Sequence, residues 1–254
     1  MRVYGLIPVR IESERLPRKA LLEMHGLPMI IHVALRSKKC SELDGLWVCT
    51  DSSEIAYVCE KYKVNVCLTS SSHSNGTERI AEAAKLLDFN DEDIVVDIQG
   101  DEPLVKPRVI RSVINDTKTM LSVGGDVFLP HIPGCESGNK NIVKVIESMG
   151  RVLYLTRSDS PNSFSVESPL KKHLSVIGFS CKSLKKFASF EIGPLEKVEG
   201  VELLRALEFG LSIHTKPYQE DTFSVDVQAD AEKAIRYMNN CPITNEIIGF
   251  DKYQ

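Results

Sequence analysis

GLWVCTDSSEIAYVCEKYKVNVCLT, residues 45–69, spells a complete strand–helix–strand unit. Residues 45–50 and 64–69 are short, nearly continuous apolar runs, as strands buried on both faces require. Between them, residues 52–62 carry apolar side chains at helical spacing. Thr50, Asp51, Ser52 and Ser53 offer side-chain oxygens to the first unpaired N–H groups of that helix. Outward from this unit, RVYGLIPV (2–9) and DIVVDI (93–98) repeat the strand pattern. Residues 28–40 and 77–88 repeat the helical one, with Thr77 placed to cap the latter. The alternating order predicts an α/β fold, doubly wound around a mostly parallel sheet with right-handed crossovers.

Beyond Pro107 the pattern changes. A helix is expected over 107–118, then strand-like pieces around 126–132, 142–147, 151–156 and 173–180. A helix over 195–209, a strand over 212–218 and a final helix from about 229 complete the reading. Residues 158–172 (SDSPNSFSVESPLKK) are rich in serine and proline and read as a mobile loop. With no linker and no internal repeat, a single domain over 1–254 with an elaborated C-terminal half is expected.

The chain has 254 residues, 43% hydrophobic and 26% charged. A chain of that size buries roughly three quarters of its unfolded surface, so a full core needs no staples. The apolar content excludes intrinsic disorder, and no run of about 18 apolar residues offers a membrane span. A formal charge of −4 argues against a nucleic-acid partner but leaves room for a local basic pocket. The N-terminal MRVYGLIPVRIESERLPRK lacks the apolar length and cleavage site of a secretion signal. Seven scattered cysteines with no CxxC pair read as buried free thiols in a reducing, cytoplasmic compartment, with a metal site as the alternative.

Ligands of open parallel sheets sit beyond the carboxyl ends of the strands. The first strand is followed by RIESERLPRK, with Arg10, Arg15, Arg18 and Lys19 within ten residues. The third is followed by SSSHSNGTER, where Gly76 is free to take positive φ. The fourth is followed by QGDEP, where Gly100 permits a turn that carries Asp101 over the sheet edge. SVDVQAD places Asp226 at the end of another strand-like run. Taken singly, a basic loop is equally a solvated surface, and an aspartate after a strand is more often a cap or turn former than a metal ligand. Together, cations opposite two carboxylates suit a polyphosphate with Mg²⁺. No GxxxxGK[ST], GxGxxG or HExxH motif is present, which disfavours a P-loop kinase and a dinucleotide fold.

These residues resemble the CMP-Kdo synthetases, the 3-deoxy-manno-octulosonate cytidylyltransferases of the sugar nucleotidyltransferase superfamily, nearly end to end. The resemblance rests on IPVR-x-x-S-x-RLP-x-K (7–19), TDSSEI (50–55), NGTERIAEA (75–83) and VVDIQGDEPLV (95–105). It continues through NIVKV (141–145), LYLTR (153–157), KHLSVIGF (172–179), PLEKVEGVELLRALEFG (194–210) and SVDVQADAEKA (224–234). It implies that Arg10, Ser13 and Lys19 hold the triphosphate of CTP, with Pro8 and Arg15 also at the nucleotide. Asn75, Gly76 and Arg79 would form the base pocket, and Gln99 would contact the nucleotide. Asp101 and Asp226 would coordinate Mg²⁺ and, with Lys19, form the catalytic set. Arg157, His173, Glu199 and Glu202 would bind the acid sugar, Arg157 by a two-pronged grip on its carboxylate. Residues 1–120 would be the nucleotide half, and 121–254 the acid-sugar and homodimerisation half. The implied activity is CMP transfer from CTP to a 3-deoxy-ulosonic acid for surface (lipo)polysaccharide synthesis.

Six positions depart from the family pattern. Arg18 replaces a glycine and Asn75 a serine; Ile177, Phe179 and Ser180 replace a usually aromatic segment that ends in arginine, and Leu203 replaces a glutamine beside the sugar. On that basis a tail-modified, amino-deoxy or sialic-acid-like substrate stands beside Kdo. A nucleotide-dependent kinase and a non-catalytic binding protein are the readings from other classes. The missing P-loop opposes the first, and retention of Lys19, Asp101 and Asp226 together opposes the second.

Overall fold

A computed structural model describes residues 1–13, 15–220 and 222–250; Glu14 of the basic loop lies outside them. The first half runs β1 (Val3–Pro8), a 3-10 turn (Lys19–Leu21), the small hairpin β2 (Glu23–Met24) and β3 (Leu27–Pro28), and α1 (Met29–Lys38). It continues with β4 (Gly45–Thr50), α2 (Ser53–Lys61), β5 (Val66–Leu68), α3 (Gly76–Leu86), β6 (Ile94–Ile98) and α4 (Pro107–Ser122). The second half holds β7 (Val127–Phe128), β8 (His131–Pro133), β9 (Lys144–Ser148), β10 (Arg151–Thr156), β11 (Lys171–His173) and β12 (Val176–Ser180). Then come α5 (Cys181–Ala188), α6 (Pro194–Glu199), α7 (Leu204–Glu208), β13 (Ile213–His214), α8 (Gln228–Met238) and α9 (Pro242–Phe250).

Among the described residues one sheet runs β5-β4-β1-β6-β12-β7-β13-β10-β9-β11-β8. Its first four strands are parallel, as the alternating pattern requires. From β12 onward the sheet is mixed: β12 runs antiparallel to β6 and β7, and β10 antiparallel to β9 and β13. Leu6 and Ile7, neighbours on β1, are both fully buried and enter different core clusters, because successive strand side chains point to opposite faces. One face packs Ile7, Val48 and Val96 with Ile30, Ile110 and Val113; the other packs Leu6, Val95 and Phe179 with Ile80, Leu184 and Leu204. A third cluster joins Met24, Met29, Leu104, Val225, Ala231, Ala234 and Met238, and so fixes α8 and residue 225 against the start of α1 and the loop after β6.

The second half departs from the sequence reading at its breaks. The helix expected over 195–209 is two helices, because Gly200 takes φ 60 and ends α6. The final helix divides before Pro242, which opens α9. The strand expected over 212–218 shrinks to β13, and the 173–180 strand separates into β11 and β12. Residues 224–226 form no strand; instead Val225 N–H donates to the Asp101 carbonyl at 2.9 Å. Helix α5 was not legible beforehand. Residues 158–170 hold no helix or strand. All seven cysteines are free, five of them buried. No helix of the described residues is long and apolar enough to cross a membrane.

Candidate active site

Beyond the carboxyl ends of β1, β5 and β6 lies a cavity of about 460 Å³. Its walls include Pro8, Arg10, Ser13, Arg15, Lys19, Asn75, Gly76, Arg79, Gln99, Asp101 and Asp226. The structure therefore brings together every residue assigned to the nucleotide and both assigned to the metal. Gly76 does not take the positive φ expected of it, and Gly100 sits in the expected turn; both serve here by close approach. A Cβ on Gly100 would lie 2.9 Å from the Pro8 carbonyl oxygen, and one on Gly76 would lie 3.2 Å from the Pro8 ring.

Lys19 stands at the centre. Its ammonium donates to Asp101 Oδ2 at 2.8 Å, Asp226 Oδ1 at 3.0 Å and the Val225 carbonyl at 3.1 Å. Burial opposes its charge, but the two carboxylates outweigh that and raise its pKa above the ordinary lysine value. Arg15 adds a second cation, 3.0 Å from Asp226, and also donates to the Asn141 side chain. Asp101 and Asp226 keep 26% and 29% of their side-chain surface, so both carboxylates remain open to the cavity.

The opposite wall is the loop into α3. Asn75 caps the helix, its Oδ1 accepting from Glu78 N–H at 2.9 Å, a role that serine fills equally well. Arg79 is buried. It donates to Thr69 Oγ1 at 2.8 Å and to the Ser70 carbonyl at 3.3 Å, and pairs with Asp51 at 3.4 Å. Its guanidinium thus braces the pocket wall. His73 and Ser74, which the sequence reading did not single out, also line the cavity; His73 is fixed by Glu82 at 2.6 Å.

The four residues assigned to the acid sugar lie outside this lining. Arg157 does not present the expected open grip. Its Nε donates to the Glu199 carbonyl, Nη1 to those of Lys140 and Asn141, and Nη2 to that of Gly200. Glu199 accepts from Thr156 Oγ1 at 2.7 Å and Arg157 N–H at 2.8 Å, which ties the end of β10 to α6. Glu202 accepts from Thr77 N–H at 3.2 Å, and burial pushes its carboxyl up. His173 is neutral at pH 7, its pKa pushed down to about 4 by burial and by the charges of Lys172 and Arg157.

A family model described as cytidylyltransferase matches residues 4–213. A 3-deoxy-manno-octulosonate cytidylyltransferase of Syntrophobacter fumaroxidans is 37% identical over 92% of this chain and 96% of its own length. A 3-deoxy-manno-octulosonate cytidylyltransferase 2 of Actinobacillus pleuropneumoniae is 33% identical over 94% and 100%. Among solved structures, a CMP:2-keto-3-deoxy-manno-octonic acid synthetase complexed with CTP superposes with a TM-score of 0.86 at 26% identity, covering 94% of this chain and 99% of that one. The chain belongs to the 3-deoxy-manno-octulosonate cytidylyltransferases. A Leptospira borgpetersenii cytidylyltransferase, at TM-score 0.65 and 17% identity, shares the fold alone.

Within this cytidylyltransferase framework, the departures at Ser180 and Leu203 find structural explanations. Ser180 is at the end of β12 paired with Ile94, away from the Ile98 end that leads into the site, and its Oγ caps α5 by accepting from Ser183 N–H at 2.9 Å. Leu203 is a buried core residue packed in the α3–α5–α7 cluster. Leu203 is only 1% exposed and the Ser180 hydroxyl is engaged in the cap, so neither change by itself argues for a modified sugar tail. Arg18 takes φ 57, a left-handed conformation natural to glycine, and its guanidinium pairs with Glu54 on α2. Asp97, which the sequence reading passed over as part of a strand, is fully buried two residues before Gln99 and accepts from Gln99 Nε2 at 2.8 Å. Burial, then the nearby Glu202 charge, push its carboxyl well up. The only sequence signal was one carboxylate inside an apolar strand.

Proposed function

We propose that this cavity transfers CMP from CTP to the anomeric hydroxyl of a 3-deoxy-ulosonic acid, with Kdo as the natural substrate. The observation that carries the reading is Lys19 seated between Asp101 and Asp226, opposite the α3 loop. In the reaction the hydroxyl oxygen bonds to the α-phosphorus, the bond from α-phosphorus to the bridging oxygen breaks, and pyrophosphate leaves. The hydroxyl proton passes to solvent. The protein's part is positioning and charge neutralisation, which suits a site lined by several cations. Arg10, Arg15 and Lys19 offset phosphate charge, while residues 74–76 and Gln99 orient the nucleoside.

The site fits Mg²⁺. Two carboxylates converge on one cation, and no group of three or more His, Cys, Asp or Glu forms a protein-only cage among the described residues. Mg²⁺ characteristically takes one or two carboxylates and leaves the rest of its shell to water and phosphate. Asp101 and Asp226 would hold it, and it would supply Lewis-acid neutralisation of phosphate charge. The same reading takes the enzyme as cytoplasmic, serving lipopolysaccharide synthesis, and as a homodimer through its second half, where Met149, Leu153 and Val198 are exposed.

Pyrophosphate release measured with CTP and UTP across a panel of 3-deoxy-ulosonic acids tests the proposal. CTP with Kdo should give the highest kcat/KM. Asp101→Ala and Asp226→Ala should each lose about 10²-fold or more in turnover while staying folded. Equal rates with UTP, or a clear preference for a tail-modified acid, would overturn the base or the sugar assignment.

A further inference from the structure

The base loop is gripped from outside the cavity. Glu78, in the first turn of α3, folds one carboxylate oxygen back to accept from both N–H and Oγ of Ser74, at 3.1 Å each. Its other oxygen accepts from Arg205 Nη1 at 2.8 Å. Arg205, on α7, donates through Nε and Nη2 to the two oxygens of Glu196 on α6, both at 2.7 Å. Its guanidinium also lies 4.8 Å from the Phe187 ring centre, and the side chain is only 2% exposed. Every link from α6 to Ser74 is therefore a charge-assisted hydrogen bond, those of the guanidinium at 2.7–2.8 Å and the two to Ser74 longer, at 3.1 Å. From the same segment, Glu202 takes Thr77 N–H.

A core ion pair of this kind is weak evidence for added stability, because desolvating the charges offsets much of their attraction. What it gives is geometry. Three N–H directions of one rigid plane fix two carboxylates, and the second carboxylate fixes the loop. Burial pushes the Glu78 carboxyl up, yet the bonds from Arg205 and Ser74 prevail and hold it below the usual range. Glu78 therefore stays ionised and able to accept from both partners.

We infer that Arg205 is a positioning residue for the nucleotide: through Glu78 it fixes residues 74–76 in their base-holding shape before CTP arrives. The inference rests on the reading that this loop faces the base. It makes α6 and α7 determinants of CTP affinity although they do not line the cavity. A preformed loop binds tighter because its ordering is not charged against the ligand.

The test is calorimetric titration of CTP with magnesium, without acid sugar, alongside steady-state kinetics. The proteins are wild type, Glu78→Gln, Arg205→Lys and Arg205→Met. Glu78→Gln should raise the Kd and KM for CTP about tenfold and narrow the CTP-over-UTP preference, with kcat and the acid-sugar KM within about twofold. Arg205→Lys should recover only part of the loss seen in Arg205→Met, since it keeps the charge and loses the planar fork. If Arg205→Met does not fold, Glu78→Gln decides. A folded Glu78→Gln protein with wild-type Kd for CTP, even if less heat-stable, overturns the inference and leaves the proposed function standing. Wild-type protein that binds no CTP overturns both.

Discussion

At Lys19 one side chain meets three acceptors from two distant stretches, and the same economy recurs at other single residues. Arg18 holds a left-handed backbone that costs a non-glycine residue about 1–2 kcal/mol, so the turn presenting Lys19 is set by the surrounding fold and not by local preference. His32 is fully buried on α1, one ring nitrogen 2.7 Å from the Met24 carbonyl and the other without a partner. Burial, with the nearby Arg36 charge, pushes its pKa down from 6.5 to about 4. The unfolded chain then binds a proton below pH 6.5 that the folded chain refuses. The stability His32 contributes is complete above pH 6.5 and is lost as pH falls toward 4, on the order of 3 kcal/mol. Denaturant unfolding between pH 4 and 7 should show His32→Gln with a shallower pH dependence than wild type. An unchanged slope would remove His32 from the acid response.

Elements are held to the sheet by close fits as well as by apolar area. Thr117 of α4 hydrogen-bonds back to the Val113 carbonyl and sits directly over Gly178 of β12. A Cβ on Gly178 would fall 1.9 Å from Thr117 Oγ1 and 3.0 Å from its Cβ, so rotating the hydroxyl does not relieve the clash. Gly178→Ala must therefore lift α4 from the sheet, and it should lower unfolding free energy by about 1–3 kcal/mol. Chemical denaturation measures this directly; a variant as stable as wild type would mean that α4 is not held that closely. The helices around the α3 loop work differently. Glu78, Glu196, Glu202 and Arg205 join α3, α6, α7 and the turn before α7 through polar contacts, which fix position more than they add stability.

Across the whole molecule, the parallel and antiparallel parts share one sheet. The seam is the β6–β12 ladder, which pairs Ile98 with Val176 through Ile94 with Ser180. Val225 N–H on the Asp101 carbonyl ties the C-terminal segment to the same strand end. The two halves should consequently unfold together. Trp47, the single tryptophan, lies on β4 and reports the first half, while far-ultraviolet circular dichroism reports both. Their heat-denaturation curves should coincide; separate midpoints would show two independently folding units.

The sequence by itself determined the parallel half and which of its loops meet around the cavity. Residues 45–69 and their flanking repeats carry strand and helix periodicity locally, and an open parallel sheet places the loops after its strands at one edge. Lys19, residues 75–79 and Asp101 could therefore be brought together without coordinates. Gly200 and Pro242 break helices that periodicity ran together, although both are local signals the sequence carries. Tertiary structure decided the rest: β7 and β13 are two-residue strands that only their partners define. Arg157 looked like a carboxylate binder and is committed to four backbone carbonyls, whereas Leu203 and Ser180 looked like pocket residues and are core and cap. A side chain's type limits which partners it can take. Which one it takes depends on groups far along the chain, and those distances exist only in the folded molecule.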